Sequence, residues 1–399
     1  MTNATRLASA NTYDNALGQL TSRQAQLSKL QEQLSASKRV LRPSDDPTAA
    51  AQAERAITRQ SRVTTDQRAL EVQRNAMSTA ESTLGDAVQA VQEFRTLVVQ
   101  AGNSALTATD RSSIAQRLTT LRDQILGFAN TKDSNGLPLF GSLGSTSTPF
   151  VDQGTGVTFD GLAGQTAAGE LSVPATLDGH AAWMDVPTGN GVFAVAQAST
   201  SAKVWSDAGH VTDPAAITGH GYRIDFAVAA GVTSYSVIDT NTSAVVQAAQ
   251  PYTAGQAIAF EGISLVAQGA PANGDALVVS PSTRSSLFGV LDQAIAGVKD
   301  AASSATLGQN VAQALAQIDA GQSRLSSSRG LAGDLLNRVD NIADRQESRS
   351  IQLEADRSRA EDLDVVKALS DFSTNQTAYS AALGSYAQIQ KLSLFNFIS

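Results

Sequence analysis

Val63, Leu70, Met77, Leu84, Val91 and Val98 follow one another at intervals of seven, and Ala80, Ala87, Phe94 and Ala101 fill the positions three further on. A seven-residue apolar repeat keeps one seam of a helix facing a partner, so this stretch has the pattern of a coiled-coil-type helix. Unbroken from Pro47 to Ala101, that helix is ~80 Å long at ~1.5 Å per residue, more than a globular core requires. An intramolecular bundle satisfies the same pattern, so the repeat alone leaves the partner open.

Both ends of the chain are helical in pattern but thinner. Tyr13, Leu17, Leu20, Leu27 and Leu34 step by fours, threes and sevens, as do Val365, Leu369, Phe372, Tyr379, Leu383 and Tyr386. Gln24, Gln31 and Gln376 occupy core slots, and a lone pair of such helices is marginal in water. The ends therefore call for partners. Leu20, Leu27 and Leu34 on one side, and Leu383, Tyr386, Ile389, Leu392, Leu394 and Phe395 on the other, are the candidate assembly interface.

The first helix is expected to reach Arg39 or Val40 and stop before Arg42-Pro43, because proline disfavours the α conformation in its predecessor. Pro43-Ser44-Asp45-Asp46-Pro47 is a helix-break motif. Ser44 or Asp46 can cap the next helix, with Pro47 in its first turn, where a missing N–H costs nothing. Asp45 and Asp46 read as cap and dipole partners, not as a catalytic pair. Thr107 and Asp110 have capping-box spacing ahead of a face formed by Ile114, Leu118, Leu121, Ile125 and Phe128. Asp133-Ser134-Asn135-Gly136 is a turn signal of the tight-hairpin kind, with strand-like pieces expected at 137–140 and 157–159.

From about 165 to 280 the helical period gives way to alternation. Tyr222 to Val228 is one strand, Tyr235 with Val237 another, turning at Asp239–Asn241 towards Val245, and Ile258 with Phe260 turns at Glu261-Gly262 into Ile263, Leu265 and Ala267. These are successive antiparallel hairpins. Helix resumes near Ser285, and a last long helix is expected from about Asn310, its seam interrupted by Gln346, Arg349 and Asp356. The fold class is mainly α with an inserted β domain: a long coiled-coil-like helical rod formed by both chain ends, with an antiparallel β excursion in the middle.

Charge follows this division. Residues 165–280 hold nine acids and two bases, net −7 of the chain's −8. Nucleic acid calls for clustered Lys and Arg, so it is not an expected partner. The absence of cysteine excludes disulfides and thiolate metal sites. No run of ~18 apolar residues suits membrane insertion, and the N-terminus lacks the apolar run of about 7–15 residues of a signal peptide. By these rules alone the chain is cytoplasmic.

Sites of chemistry are not evident. His180, His210 and His220 lie 30 and 10 apart without a His-Glu-x-x-His, and scattered histidines of this kind are ordinary surface or turn residues. Gly189-Asn190-Gly191 and Gly219-His220-Gly221 lack the third glycine of a dinucleotide fingerprint, and there is no phosphate-loop or Gly-x-Ser-x-Gly motif. Trp183 and Trp205 could stack on sugars, although core packing is the usual role of tryptophan. No catalytic, cofactor-binding or metal residue is assigned.

The motifs at the two ends carry a resemblance. Leu34-Ser35-Ala36-Ser37-Lys38-Arg39-Val40 leading into Pro43–Pro47 resembles the N-terminal signature of the flagellin family, and Ala360–Asp364 with the ending Leu392–Phe397 resembles its C-terminal helix. Asn337-Arg338-Val339-Asp340 is similar to a segment shared across the family. Pro43–Pro47, together with Phe128–Gly136 and Phe140, is nearer to the branch at the hook–filament junction than to filament flagellin. Leu137-Pro138-Leu139-Phe140 departs from that branch, which has a tyrosine-containing strand there. The resemblance covers about 1–160 and 285–399.

It implies terminal axial helices over 1–42 and 365–399 and a helical rod domain with a β-hairpin over 43–164 and 281–364; the inserted acidic β-rich segment over 165–280, which the resemblance does not cover, is read from its charge and alternation as an outer domain. The resemblance further implies an extracellular flagellar subunit exported without a cleaved signal, one that joins hook to filament by helix-bundle packing. The implied partners are a homo-oligomeric ring, a neighbouring hook-associated protein, flagellin subunits and an export chaperone. Filament flagellin is the nearest rival reading. A flagellin-like rod displaying an adhesin or an enzymatic middle domain is a more distant one.

Overall fold

The computed structural model describes the backbone of residues 3–144, 146–199 and 201–398, and within those spans the side chains from 13 to 388. The α-helices are α1 (Asn3–Ala36), α2 (Pro47–Ala101), α3 (Ala108–Ala129), α4 (Leu287–Lys299), α5 (Ser304–Glu361) and α6 (Val365–Ile398). Two compact units are formed, Met1–Arg68 with Ala343–Ser399, and Ala69–Ile342.

The first unit holds α1, α6, the beginning of α2 and the end of α5. Ala49, Ala53, Ala56 and Val63 of α2 are buried in it, as are Gln346, Leu353 and Ala360 of α5. Gln60 donates to Glu354 across these two helices at 3.3 Å. Helix α1 stops at Ala36, earlier than Arg39 or Val40, because Ser37 turns into the left-handed region at φ 54°. The Gln33 side chain then donates to the Arg39 carbonyl at 2.6 Å. Pro43 is thus preceded by an irregular stretch and not by a helix.

In the second unit the heptad seam is as expected: Leu70, Met77, Leu84, Val91 and Val98 are buried, with Ala80, Ala87, Phe94 and Ala101 beside them. Its partner is within the chain. Ile318, Leu325, Ala332 and Val339 of α5 are buried at the same spacing of seven. Ion pairs Arg74–Asp340, Glu81–Arg329 and Arg95–Asp319 tie the two helices antiparallel at 3.2, 2.7 and 2.7 Å. Helix α5 begins at Ser304, six residues before the expected Asn310, because the Ser303 hydroxyl caps it by accepting from the Thr306 amide. The companion row of Leu335 and Ile342 does give out at Arg349 and Asp356, both exposed.

Helices α3 and α4 pack together, burying Ile114, Leu118, Leu121 and Ile125 with Leu287, Leu291 and Val298. The Thr107–Asp110 capping box is formed in full. After α3, Asp133 caps its own turn by accepting from the Asn135 and Leu137 amides. Residues 137–140 are not a strand; a single bridge pairs Lys132 with Pro138, because proline has no amide with which to extend a ladder. The expected strand at 157–159 is present, as β2 (Val157–Phe159) paired with β1 (Phe150–Asp152). Trp183 lies fully buried beside this hairpin, stacked on Phe288 at 6.0 Å and edge-on to Phe140 at 5.6 Å.

The remaining strands are β3 (Val186–Pro187), β4 (Phe193–Gln197), β5 (Val204–Ser206), β6 (His210–Val211), β7 (Tyr222–Ala229), β8 (Val232–Asp239), β9 (Val245–Pro251), β10 (Ala257–Phe260), β11 (Ile263–Gly269), β12 (Ala276–Pro281) and β13 (Arg284–Ser285). One sheet has the order β4-β12-β7-β8-β9; the other has β10-β11-β5 with β6 also on β11; β13 pairs with β3. All the ladders are antiparallel. Tyr222, Ile224 and Phe226 from one sheet meet Phe260, Ile263 and Leu265 from the other in a shared core. That is the alternation read from the sequence, turned inward. Between β10 and β11, Gly262 takes φ 73° where a Cβ would lie 2.2 Å from the Asp213 carbonyl, so only glycine fits the turn.

Candidate assembly surface

Two helix breaks face each other in the first unit. Lys38 and Asp362 form an antiparallel bridge. The Arg39 amide donates to the Glu361 carbonyl at 2.7 Å and the Leu363 amide to the Ser37 carbonyl at 3.2 Å. The Arg39 guanidinium donates to the Ala360 carbonyl at 2.7 Å, and the Lys38 ammonium pairs with the Glu361 carboxylate at 3.2 Å. Arg357 then joins Glu361 to Glu354. Orphan backbone groups left by the ends of α1 and α5 are satisfied by one another, as helix termini require.

Within the helix-break motif each carboxylate has its own task. Asp46 accepts from the Ala49 amide at 3.0 Å, which makes it the N-cap of α2, with Pro47 at the first helical position. Asp45 accepts from the Leu41 and Arg42 amides and pairs with Lys29 at 2.9 Å, tying the loop back to α1. The Lys29 ammonium and the Arg42 amide hold the Asp45 carboxyl below the usual carboxylate range, and the Ala49 amide and Arg39 do the same for Asp46. Pro43 and Ser44 are exposed. A shallow cavity of about 400 Å³ opens beside the motif, lined by Val40, Leu41, Pro43, Pro47, Ala50 and Glu361 among others.

The terminal helices α1 and α6 pack on each other. Leu20 is 8% exposed, Leu27 and Leu34 are half-buried, and Leu383 is 43% exposed. Tyr386 is half-buried with its ring 5.5 Å from that of Tyr13, whose hydroxyl raises the Tyr386 phenol above its ordinary value. The Ile389, Leu392, Leu394 and Phe395 side chains lie outside the described residues. Exposed apolar side chains continue at Val365, Val366 and Leu369. Lys38, Arg39, Glu361 and Asp362 were not singled out as partners by periodicity. Their signal was the opposition of two basic and two acidic neighbours at the two breaks.

In the second unit Arg122 is 6% exposed and ion-paired with Asp123, Asp152 and Asp292, the last at 2.9 Å. Burial disfavours its charge, but Asp152 and Asp292 outweigh that and hold it firmly protonated. It joins α3, α4 and β1. Among the histidines, His220 pairs with Asp239 at 2.7 Å and His180 lies against Phe159. Among the described residues no three His, Asp or Glu converge as metal ligands, and no helix is long and apolar enough to cross a membrane. Trp205 is half-buried with one face over Gly308, and Trp183 is fully buried, so Trp183 offers no free face for sugar stacking.

Two family models match the chain: the bacterial flagellin N-terminal helical region over residues 8–143 and the C-terminal helical region over 308–398. The chain belongs to the flagellin family. Flagellar hook-associated protein 3 of Salmonella typhimurium is 35% identical over 153 residues, which is 38% of this chain and 47% of that protein. Its Escherichia coli namesake is 30% identical over 190 residues, 47% of this chain and 56% of that protein. The chain thus spans about half the length of these curated relatives. Among solved flagellin-family structures, the flagellar junction protein FlgL from Legionella pneumophila superposes with a TM-score of 0.67 at 28% identity, over 72% of this chain and 99% of that one.

Proposed function

We propose that this flagellin-family chain is the structural subunit that joins the flagellar hook to the flagellin filament. What supports the reading best is the Legionella junction protein, matched along 99% of its length. The Pro43–Pro47 motif and both curated relatives point the same way. The work is packing, with no catalysis: the α1–α6 pair presents Leu27, Leu34 and Leu383 with apolar surface still open to neighbours. A lone pair this thin gains from covering a second face.

On this reading residues 1–42 and 365–399 are the axial helices, and Leu20, Leu27, Leu34, Leu383, Tyr386, Ile389, Leu392, Leu394 and Phe395 form their interface. Residues 43–164 and 281–364 make the helical domain, and 165–280 the outer one. Within that outer segment, Arg338 donates to the Gly169 carbonyl and Gln73 accepts from the Val173 amide, so its first part is held on helices. Copies form a ring between a hook-associated protein and flagellin, and the subunit reaches the cell exterior through the flagellar export route with a chaperone. Immunogold labelling of intact flagella tests the reading. A single band where hook meets filament is expected; label along the filament would make this a flagellin.

A further inference from the structure

Along the helices several arginines meet carboxylates: Arg74 pairs with Asp340, Arg95 with Asp319, Arg329 with Glu81 and Arg357 with Glu354. Arg55 and Arg59 of α2 do not. Both are exposed, one helical turn apart, and neither has an ion pair or hydrogen bond among the described residues. Arg62 continues their row in the same state. Arg55 and Arg59 border a shallow cavity of about 390 Å³ between α2 and α5, within the first unit. Ala56, Leu353 and Ala360, all buried, form its floor, and Asp356 and Arg359 its far wall. Asp356 is already occupied by Arg359 and by the Gln352 amide.

The other acids near this groove are committed or turned away. Glu354 is held by Arg357 and Gln60. Glu54, next to Arg55 in sequence, lines the separate cavity at the helix-break motif. Asp66 lies seven residues past Arg59, ~10 Å along the helix at ~1.5 Å per residue. Like charges four apart on a helix destabilise it, and no carboxylate of the chain offsets this pair.

We propose that the groove takes an acidic peptide segment of a partner protein, whose Asp or Glu carboxylates are received by Arg55 and Arg59 while their stems lie over Ala56, Leu353 and Ala360. The guanidinium fork matches a carboxylate through two parallel N–H donors. Phosphate sites draw on free backbone amides at a helix start or in a nest. These walls, 52–59 and 353–360, lie within α2 and α5, where the amides are spent in the helices. A second copy of the chain is a poor donor. Its helical flanks carry net −1. In its β domain Asp225 pairs with Arg223, Asp185 with Arg284 and Arg324, and Asp207, Asp213 and Asp275 accept from nearby amides. The groove is a property of the free subunit and does not depend on the junction reading.

A fluorescein-labelled hexaglutamate peptide, titrated with the full chain at low salt and followed by anisotropy, provides the test. Arg55→Glu with Arg59→Glu should weaken binding by about tenfold, the order expected of two lost charge pairs, and added salt should weaken wild-type binding. Arg68→Glu with Arg117→Glu makes the same change in net charge at exposed positions that do not line the cavity, and should bind like wild type. Circular dichroism confirms the fold of both variants. No binding by wild type, an equal loss in the two variants, or displacement by inorganic phosphate beyond that caused by sodium chloride at equal ionic strength would overturn the assignment. Wild-type dimers in sedimentation that Arg55→Glu with Arg59→Glu dissolves would also overturn it, giving the groove to a second copy.

Discussion

Lys38 and Asp362 sit opposite each other in an antiparallel bridge, so the break between α1 and α2 and the break between α5 and α6 are one joint, not two. The backbone bonds Arg39 to Glu361 and Leu363 to Ser37 flank the bridge on either side. A change at either break is therefore felt at the other.

The N-cap of α2 can be tested alone. Asp46→Ala removes the acceptor for the Ala49 amide and should speed amide exchange over 48–50 while lowering the melting temperature. Asp46→Asn keeps an acceptor and should sit near wild type. An alanine variant with unchanged exchange in that first turn would mean the cap is redundant.

Arg122 is a second target. Replacing it with alanine leaves Asp152 and Asp292 without their partner and a cavity where α3, α4 and β1 meet. A loss of about 2–3 kcal/mol is expected, at or just below the ~3–5 kcal/mol of broken buried pairs because the carboxylates are partly solvated. Arg122→Lys should recover part of it. Urea unfolding of the three proteins gives the numbers.

Acid should loosen the β sandwich. Burial pushes the Asp239 carboxyl up, but His220 and the Thr242 and Asn241 amides outweigh it and hold it at about 2. The unfolded value is ~3.9, so the group's stabilisation is present above about pH 4 and fades as pH falls towards 2. Asp239→Asn should flatten that part of the pH dependence. Trp205 fluorescence during urea titrations at pH 5 and pH 2.5 reads it.

Gln346 is 3% exposed, and neither its amide nitrogen nor its amide oxygen has a hydrogen-bond partner. It stands seven residues after Val339 and seven before Leu353. Gln346→Leu should raise the stability of the subunit by ~1–2 kcal/mol, within the cost of burying an unpaired polar group. A loss on substitution would show that water or a neighbour satisfies the amide.

Leu27→Ala with Leu34→Ala should abolish assembly while leaving the melting of the core unchanged. In the free monomer, protease should trim both ends to a core near 45–360, because each ordered residue costs about 1–2 kcal/mol in backbone entropy and these helices bury few large side chains in return. Ends that resist protease and exchange slowly would show that α1 and α6 hold without neighbours.

Much of the architecture was legible because it rests on repetition. The heptads of α2, the Thr107–Asp110 box, the alternation of Tyr222, Ile224 and Phe226 and the cap at Asp46 are local patterns, each needing only neighbours along the chain. Element ends read less well. Helix α1 stops at Ala36 because Ser37 is drawn into the joint with Asp362 and Leu363, some 325 residues away in sequence. Residues 137–140 are no strand because Pro138 breaks the ladder, and α5 starts early because Ser303 caps it.

By itself the sequence determined the helical seams, the β excursion, its charge and the family signature, since periodicity and composition act within short windows. Only the tertiary structure decided that the α2 seam closes on α5 of the same chain, through Arg74–Asp340 and Arg95–Asp319. The same holds for the pairing of the two helix breaks. Those outcomes depend on which residues meet across hundreds of positions, and a one-dimensional pattern carries the chemistry of each partner without saying which partner it finds.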